Sequence, residues 1–315
     1  MYIVKRGFGV MKKVRVILPI LLVFTIIFNS NNIIYESDRY EINNINYKSE
    51  NNIDEYKRNY NYIEYSNESI SVISNKKDIK NSIYNALNNG KDKYTIYCNY
   101  NNYIDCLNDF KEVFYNKELM SSISNYVNPF NRYKSIKYNF IKDINIYKIE
   151  LTITKKYNDE QINEINNVID KYISNSNINN LNDKDKIKLL HNYLINKNSY
   201  DKKAENNNLS DSNSAYGAIV KNKALCQGYS EAMAILLDRF NIPNILITSK
   251  DHIWNLVYID NEWKHLDVTW DDPITVSGNN KLIYDYYLIN NNKLSKLDNS
   301  SNHKYYKDFY LEVFN

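Results

Sequence analysis

Apolar and polar residues alternate in four stretches between residues 66 and 156, which is the pattern of half-buried β-strands. These stretches are residues 69–74, 94–100, 133–141 and 144–154. Between them, apolar residues recur at helical spacing over 78–87 and 104–120. Only Lys142 and Asp143 separate the last two strands, which indicates a hairpin. Residues 66–156 are therefore predicted to form a small α+β domain with the element order β-α-β-α-β-β.

The second predicted domain, residues 157–315, begins with two helical patterns. Apolar residues fall on one face over 159–173. A second helix begins near residue 184, and Asn182 or Asp183 is suited to cap it because both side chains accept hydrogen bonds from free backbone N–H groups. The first domain contains no recognisable chemical motif, so we expect the chemistry to lie in the second.

The first 30 residues have the charge and hydropathy pattern of an export signal. Lys and Arg residues precede an apolar run over 16–28, whose 13 residues fit a signal-peptide core better than a membrane span of roughly 20. No small-x-small cleavage site follows the run, so a retained N-terminal membrane anchor is the alternative interpretation. In either case we expect an extracellular body, secreted or membrane-anchored, joined through a polar linker over 31–65.

The formal charge of +3 includes five Lys or Arg residues that precede the apolar run. Without those five the remainder carries −2, so there is no basic surface for nucleic acid. The chain has three cysteines. Cys98 and Cys106 either pair in an oxidising compartment or are two small buried residues, and we expect the second. Either arrangement leaves Cys226 as a free thiol.

Cys226 stands in the first turn of a third predicted helix, which stops at Asn241-Ile242-Pro243 because proline cannot continue it. Unpaired N–H groups and the positive helix end favour the nucleophilic thiolate there, and the same N–H groups can hold an oxyanion. Gly228 is expected to let another backbone or a substrate approach closely. A small buried cysteine without chemistry is the alternative on this helix alone.

Two alternating stretches, 253–259 and 262–268, flank Asp260-Asn261, a pair suited to a two-residue hairpin turn. If Ile259 faces Glu262, His252 lies one diagonal step from Asp267 on a shared face. A carboxylate on one ring nitrogen fixes the histidine tautomer and leaves the other nitrogen for a nucleophile.

His265 is the main rival for the base, but it is predicted to lie opposite Leu256, deeper in the hairpin, where packing is its expected role. A metal site is a further alternative. Its candidate ligands are His252, His265, Asp267, Asp271 and Asp272. The chain has no HExxH or paired CxxC motif and no calcium-binding loop, so we expect no metal and no cofactor.

These residues carry a resemblance. The strings SAYGAIVKNKALCQGYSEAMAILLDRFNIP, DHIWN and EWKHLDVTWDDP resemble the transglutaminase-like superfamily, in its bacterial exported form, over about 201–273. The resemblance extends more loosely back through the two predicted helices that end at 198–201, and forward to 286–289 and His303. It implies a papain-like fold, with a cysteine-bearing helix packed on an antiparallel sheet. It also implies that Cys226 is the nucleophile, His252 the base and Asp267 the carboxylate, in agreement with the residue analysis.

The sequence therefore predicts an exported cysteine acyl-transfer enzyme that acts on carboxamide or amide bonds of a protein or peptide at the cell surface. Such an enzyme works through a thioester, which water or an amine resolves, as in peptidases and protein-glutamine acyltransferases. The alternative is a non-catalytic surface binding or scaffold protein that keeps the fold without the chemistry.

Overall fold

The computed structural model describes residues 56–58, 71–142, 146–207, 210–273, 282–298 and 301–310. The predicted export segment, 1–30, lies outside the described residues, as does most of the predicted linker. Within the described ranges, no helix combines the length and the apolar character needed to cross a membrane. The predicted mixed α+β class is confirmed.

The first half of the body is a four-stranded sheet covered by three helices. Its elements are β1 (Val72–Ile73), α1 (Lys76–Asn88), β2 (Lys93–Cys98), α2 (Tyr103–Tyr115), α3 (Lys117–Asn125), β3 (Tyr133–Lys142) and β4 (Tyr147–Lys155). The strand order is β1-β2-β4-β3, with β1 parallel to β2 and the other pairs antiparallel. The predicted hairpin is the β3–β4 pair.

The prediction of a single helix over 104–120 is wrong, because the helix is interrupted at Asn116. Asn116 has a non-helical backbone (φ −76°, ψ 99°), and its side chain accepts a hydrogen bond from the Leu119 N–H. It therefore ends α2 and caps the start of α3, as short polar side chains favour.

The second half places a helix on an antiparallel sheet, as predicted. Its elements are α4 (Asp159–Ser174), α5 (Asp183–Lys197), β5 (Ser199–Tyr200), β6 (Lys223–Ala224), α6 (Cys226–Asp238), β7 (Asn244–Thr248), β8 (Ile253–Ile259), β9 (Glu262–Leu266) and α7 (Asn291–Leu297). Helix α6 packs against the sheet β7-β8-β9. Strand β7 was not predicted. Asn182 caps α5, which settles the choice between Asn182 and Asp183.

The sheet β7-β8-β9 is buried on both faces. Trp254 and Leu256 of β8 belong to the same hydrophobic cluster as Ile96 of β2 and Phe110 of α2. Val257, which points the opposite way, belongs to the cluster around α6. The first half of the body therefore shares a core with the sheet that bears the candidate site.

Part of the predicted linker is packed against the body. Arg58 is 6% exposed, and its guanidinium donates to Asp238 Oδ2 at 2.8 Å and to the Asn244 carbonyl at 3.1 Å. Because Asp238 is the last residue of α6, residues 56–58 reach the end of the helix opposite Cys226. The linker interpretation of 31–65 is therefore wrong for these three residues.

A fully buried carboxylate joins the two halves. Glu231 of α6 accepts hydrogen bonds from Arg132 Nη1 at 3.0 Å, from Lys156 Nζ at 2.7 and 2.8 Å, and from the Tyr157 hydroxyl. Gln227, one turn earlier on α6, donates at 3.0 Å. Arg132 and Lys156 flank the open end of the β3–β4 hairpin, so this hairpin end is fixed on the helix that begins with Cys226.

The charges of this cluster are mutually dependent. Burial acts to raise the pKa of Glu231, but Lys156 and Arg132 outweigh it and the net pKa is lowered. Burial lowers the pKa of Lys156 to about 8, against the attraction of Glu231. All three groups are therefore charged at neutral pH, and loss of one partner leaves buried charge without compensation.

Replacement Glu231→Gln is expected to destabilise the fold by about 3–5 kcal/mol, because two buried cations lose their counter-charge. Urea unfolding followed by circular dichroism measures the change. Asp260→Asn is the control, since Asp260 forms an exposed ion pair with Lys184 and asparagine tolerates its positive φ. Equal unfolding midpoints for the two variants would contradict a structural role for the buried cluster.

Candidate active site

Cys226 is the first residue of α6 and follows the extended residue Leu225, as the sequence predicted. The thiol is 1% exposed and lies beside the backbone N–H groups of Ile253, Gln227 and Cys226 itself. The Ile253 N–H belongs to the peptide bond that follows His252. Cys226 therefore contacts the backbone next to the predicted base.

Gly228 allows a close backbone approach, which confirms its predicted role. A Cβ at this position would lie 2.4 Å from the Ser212 carbonyl oxygen and 3.0 Å from that of Ser214. The segment before β6 consequently packs directly onto the first turn of α6, beside Cys226.

The electrostatics of Cys226 differ from the prediction. Burial raises the pKa of its thiol to about 12, and the negative charge of Asp267 adds to the increase. The surrounding N–H groups act in the opposite direction but do not outweigh burial. The N–H groups of the helix terminus thus favour the thiolate as expected, but burial outweighs them and the thiol is protonated at neutral pH.

His252 and Asp267 form the predicted contact, with 2.5 Å between Nε2 and Oδ2. Both side chains are buried, and the His252 ring stacks on Trp254. Since Nε2 faces the carboxylate, it carries a proton, and Nδ1 is the ring nitrogen that can accept another. Burial acts to raise the pKa of Asp267, but His252 and then His303 hold it far below the usual value, so it is ionised.

The hairpin has the predicted register over most of its length. Ile259 faces Glu262 and Leu256 faces His265, and Asp260 and Asn261 both have positive φ angles, as a two-residue turn requires. The pairing ends earlier than predicted, at Asn255 and Leu266, so the strand predicted to reach residue 268 stops at 266.

Asp267 lies just beyond β9, in a turn, where its N–H donates to the Tyr286 carbonyl at 3.2 Å. Its Oδ1 accepts from the Trp270 N–H at 3.1 Å. These bonds orient the carboxylate towards His252 in place of the predicted strand pairing.

His265 has a packing role, as the register predicted. Its Nδ1 accepts from Trp254 Nε1 at 2.9 Å, and its Nε2 therefore carries the proton and donates to Asn291 Oδ1 at 2.7 Å. Burial lowers the pKa of His265 to about 4, so it is neutral at pH 7.

Two of the acidic residues in the metal alternative, Asp271 and Asp272, contact other side chains. Asp271 Oδ2 lies 3.1 Å from His191 Nε2, and Asp272 Oδ2 accepts from the Tyr229 hydroxyl at 2.5 Å, so both serve other contacts. Across the described ranges, one group of three metal-type ligands has atoms within 4.8 Å of one another: His252, Asp267 and His303. Within this group, Nε2 of His252 and Nε2 of His303 lie 2.5 and 2.9 Å from Asp267 Oδ2, which are hydrogen-bond distances.

His303 and its partner Asp298 are the polar residues at this site to which the sequence assigned no role. His303 Nε2 lies 2.9 Å from Asp267 Oδ2, across 36 residues of sequence. No local pattern indicates such a contact, because His303 lies in a short helix, Ser301–His303, rather than in a paired strand.

Cys98 and Cys106 form a disulfide between the end of β2 and the start of α2. The expectation that they are two separate buried residues is therefore wrong, and the pairing alternative holds. Because the sequence has three cysteines, Cys226 is the one thiol left free and buried.

The site thus combines a helix-terminal cysteine with a buried histidine–carboxylate pair at the end of an adjacent antiparallel sheet. Residues 170–268, which contain Cys226, His252 and Asp267, match the family model of the transglutaminase-like superfamily. The match covers less than half of the 315 residues of the chain. No curated protein matches the chain.

Two solved structures are similar over part of their length. One is a crystal structure of a TGase, at 18% identity and a TM-score of 0.33 over 62% of this chain. The other is a putative cysteine protease from Cytophaga hutchinsonii, at 12% identity and a TM-score of 0.28 over 42% of this chain. The chain spans 55% and 62% of the lengths of those two proteins.

A raised thiol pKa predicts slow alkylation of Cys226 at neutral pH. Iodoacetamide is expected to modify the native protein at least roughly 100-fold more slowly than the urea-unfolded protein at pH 7, because thiolate is the reacting form. The native rate should continue to increase with pH beyond pH 9. A rate that is fast and constant from pH 6 to 9 would instead indicate a preformed thiolate.

The lowered pKa of His265, about 4 against 6.5, predicts loss of stability in acid. In the unfolded state, His265 binds a proton below pH 6.5, whereas in the folded state it binds one only below about pH 4. The free energy of unfolding therefore decreases by about 3 kcal/mol as the pH falls from 6.5 to 4.

Unfolding free energies at pH 7 and pH 4 test the assignment. The stability difference between the wild type and His265→Gln should narrow in acid, because the variant lacks this titration. Asn291→Ala removes a partner but keeps the imidazole, and it should retain the acid sensitivity. An identical pH dependence in wild type and His265→Gln would contradict the assignment.

Proposed function

We propose that this chain is an exported cysteine acyl-transfer enzyme with Cys226, His252 and Asp267 as catalytic residues. The observation that carries the proposal is the buried His252–Asp267 pair at the start of β8, where the adjoining Ile253 N–H lies against the Cys226 thiol. A nucleophile, a base and an orienting carboxylate on one helix–sheet contact are the groups that acyl transfer needs.

In the proposed first step, Cys226 Sγ attacks the carbonyl carbon of a carboxamide or peptide bond and its proton passes to His252 Nδ1. Asp267 stabilises the imidazolium that forms, through the Nε2 hydrogen bond. The negative oxygen of the tetrahedral intermediate is held by backbone N–H groups at the start of α6. When the C–N bond breaks, His252 returns the proton to the leaving amine and a thioester remains.

In the second step, water or a primary amine attacks the thioester carbonyl and gives a proton to His252. The C–S bond breaks and the proton returns to Cys226 Sγ, so the enzyme is restored. Water yields hydrolysis and an amine yields transamidation. The protonated resting thiol fits this sequence, because proton transfer to His252 accompanies the attack and needs no preformed ion pair.

Protein or peptide chains at the cell surface are the proposed substrates. Export is supported by the Cys98–Cys106 disulfide, since such bonds persist in oxidising compartments. Residues 1–30 supply the signal or membrane anchor in this proposal, through the basic and apolar pattern of their sequence.

Incubation with a casein-type glutamine donor and a labelled primary amine tests the activity. Mass spectrometry detects three products in one sample: amine incorporation, conversion of glutamine side chains to glutamate with release of ammonia, and backbone cleavage. We expect Cys226→Ala and His252→Ala to abolish turnover, and Asp267→Asn to lower kcat roughly 10³–10⁴-fold, because the histidine tautomer is no longer fixed.

The double variant Cys98→Ala/Cys106→Ala is the matched control, since it also removes cysteine and leaves the site unchanged. Its turnover should persist wherever circular dichroism shows a folded protein. Full turnover by Cys226→Ala, or the absence of turnover on every donor by folded wild type, would favour the non-catalytic scaffold.

A further inference from the structure

Asp267 accepts two histidine hydrogen bonds on a single oxygen. Its Oδ2 lies 2.5 Å from His252 Nε2 and 2.9 Å from His303 Nε2. The remaining nitrogen of His303, Nδ1, lies 2.6 Å from Asp298 Oδ2. The four side chains thus form a continuous chain in the order His252, Asp267, His303, Asp298.

The two partners of His303 determine its protonation. Carboxylate oxygens are acceptors, so an imidazole between two carboxylates donates from both nitrogens and carries a positive charge. Burial acts to lower the pKa of His303, but its hydrogen bonds to Asp267 and Asp298 outweigh burial and the net pKa is raised.

Aromatic rings shield this cation from water. The His303 ring stacks on Tyr286 at 5.1 Å between centroids and meets Trp254 and Trp270 edge to face at 4.8 and 4.9 Å. The side chain of His303 is 1% exposed and that of Asp298 is 5% exposed. In such surroundings the charge of His303 acts on Asp267 with little screening.

Two consequences follow for the candidate base. The hydrogen bond from His303 fixes the Oδ2 atom that receives His252, so it orients the pair. The positive charge of His303 also offsets part of the negative charge of Asp267. A proton on His252 is therefore stabilised less than it would be if Asp267 had no cationic partner.

We propose that His303, held as an imidazolium between Asp298 and Asp267, is a positioning residue that orients Asp267 and limits the basicity of His252. This inference rests on the proposed function for its kinetic part, and on the hydrogen-bond geometry for the rest. Among the described residues, the charged or titratable groups that face or influence His303 are Asp267 beyond β9, Asp298 after α7, His252 before β8, His265 on β9 and Tyr286 stacked on its ring.

Imidazole NMR tests the arrangement without any substrate. The sequence has four histidines, so long-range ¹H–¹⁵N spectra resolve each ring once single variants assign them. We expect both nitrogens of His303 to be protonated at pH 8, and Asp298→Asn, but not Asp298→Glu, to return the ring to its neutral form. A neutral His303 at pH 8 in the wild type would overturn the proposal.

The same spectra report the effect on His252. His303→Gln keeps a donor for Asp267 but removes the positive charge, so a proton on His252 is more stable in the variant than in the wild type. The acid limb of the kcat/KM profile is therefore expected to move to higher pH. At neutral pH we expect kcat/KM to decrease roughly 10- to 100-fold, which is the usual effect of removing a residue that orients a functional side chain by a hydrogen bond.

His303→Phe separates positioning from packing. It keeps a ring against Tyr286 but loses both hydrogen bonds, so we expect a larger loss of kcat/KM than for His303→Gln. Wild-type kinetics and an unmoved pH profile in His303→Phe would show a packing role only and overturn the proposal. If no donor is turned over at all, the proposed function fails, while the titrations of His303 and His252 still decide the arrangement.

Discussion

The position of the cysteine-bearing helix depends on one buried charge, that of Glu231. Its carboxylate is fully buried, so the fold has to supply counter-charges, and it does so from Arg132 and Lys156 at the open end of the β3–β4 hairpin. The interaction is directional as well as strong, because a guanidinium and an ammonium share one carboxylate. The first half of the body, which carries no catalytic motif, thereby determines where the first turns of α6 lie.

The candidate site also contains a buried carboxylate with hydrogen-bond donors around it, but the donors are histidines in place of Arg and Lys. Asp267 is buried and ionised because His252 and His303 donate to it, and the net charge of the group stays small. Burial keeps Cys226 as a thiol in the resting state. In the proposed mechanism, charge separation between Cys226 and His252 therefore waits until a substrate carbonyl is in place to receive the sulfur.

Local patterns were sufficient to predict the parts of the site that follow from short-range geometry. The Asp260-Asn261 turn determines the hairpin register, and the register brings His252 near Asp267. The thiol pKa could not be predicted, because burial of Cys226 is a tertiary property that opposes the local effect of the helix terminus. The role of His303 was not predicted for a related reason, because its contact joins residues 36 positions apart in the sequence and no periodic pattern specifies it.

Helix α6 is fixed at both of its ends by residues outside the segment that matches the family model, 170–268. Arg132 and Lys156 contact it near Cys226, and Arg58 binds Asp238 at its last residue. The boundary of sequence similarity is therefore not the boundary of the folding unit. A shortened chain that begins at the family match lacks every one of these cations, whereas one that begins before residue 56 keeps them.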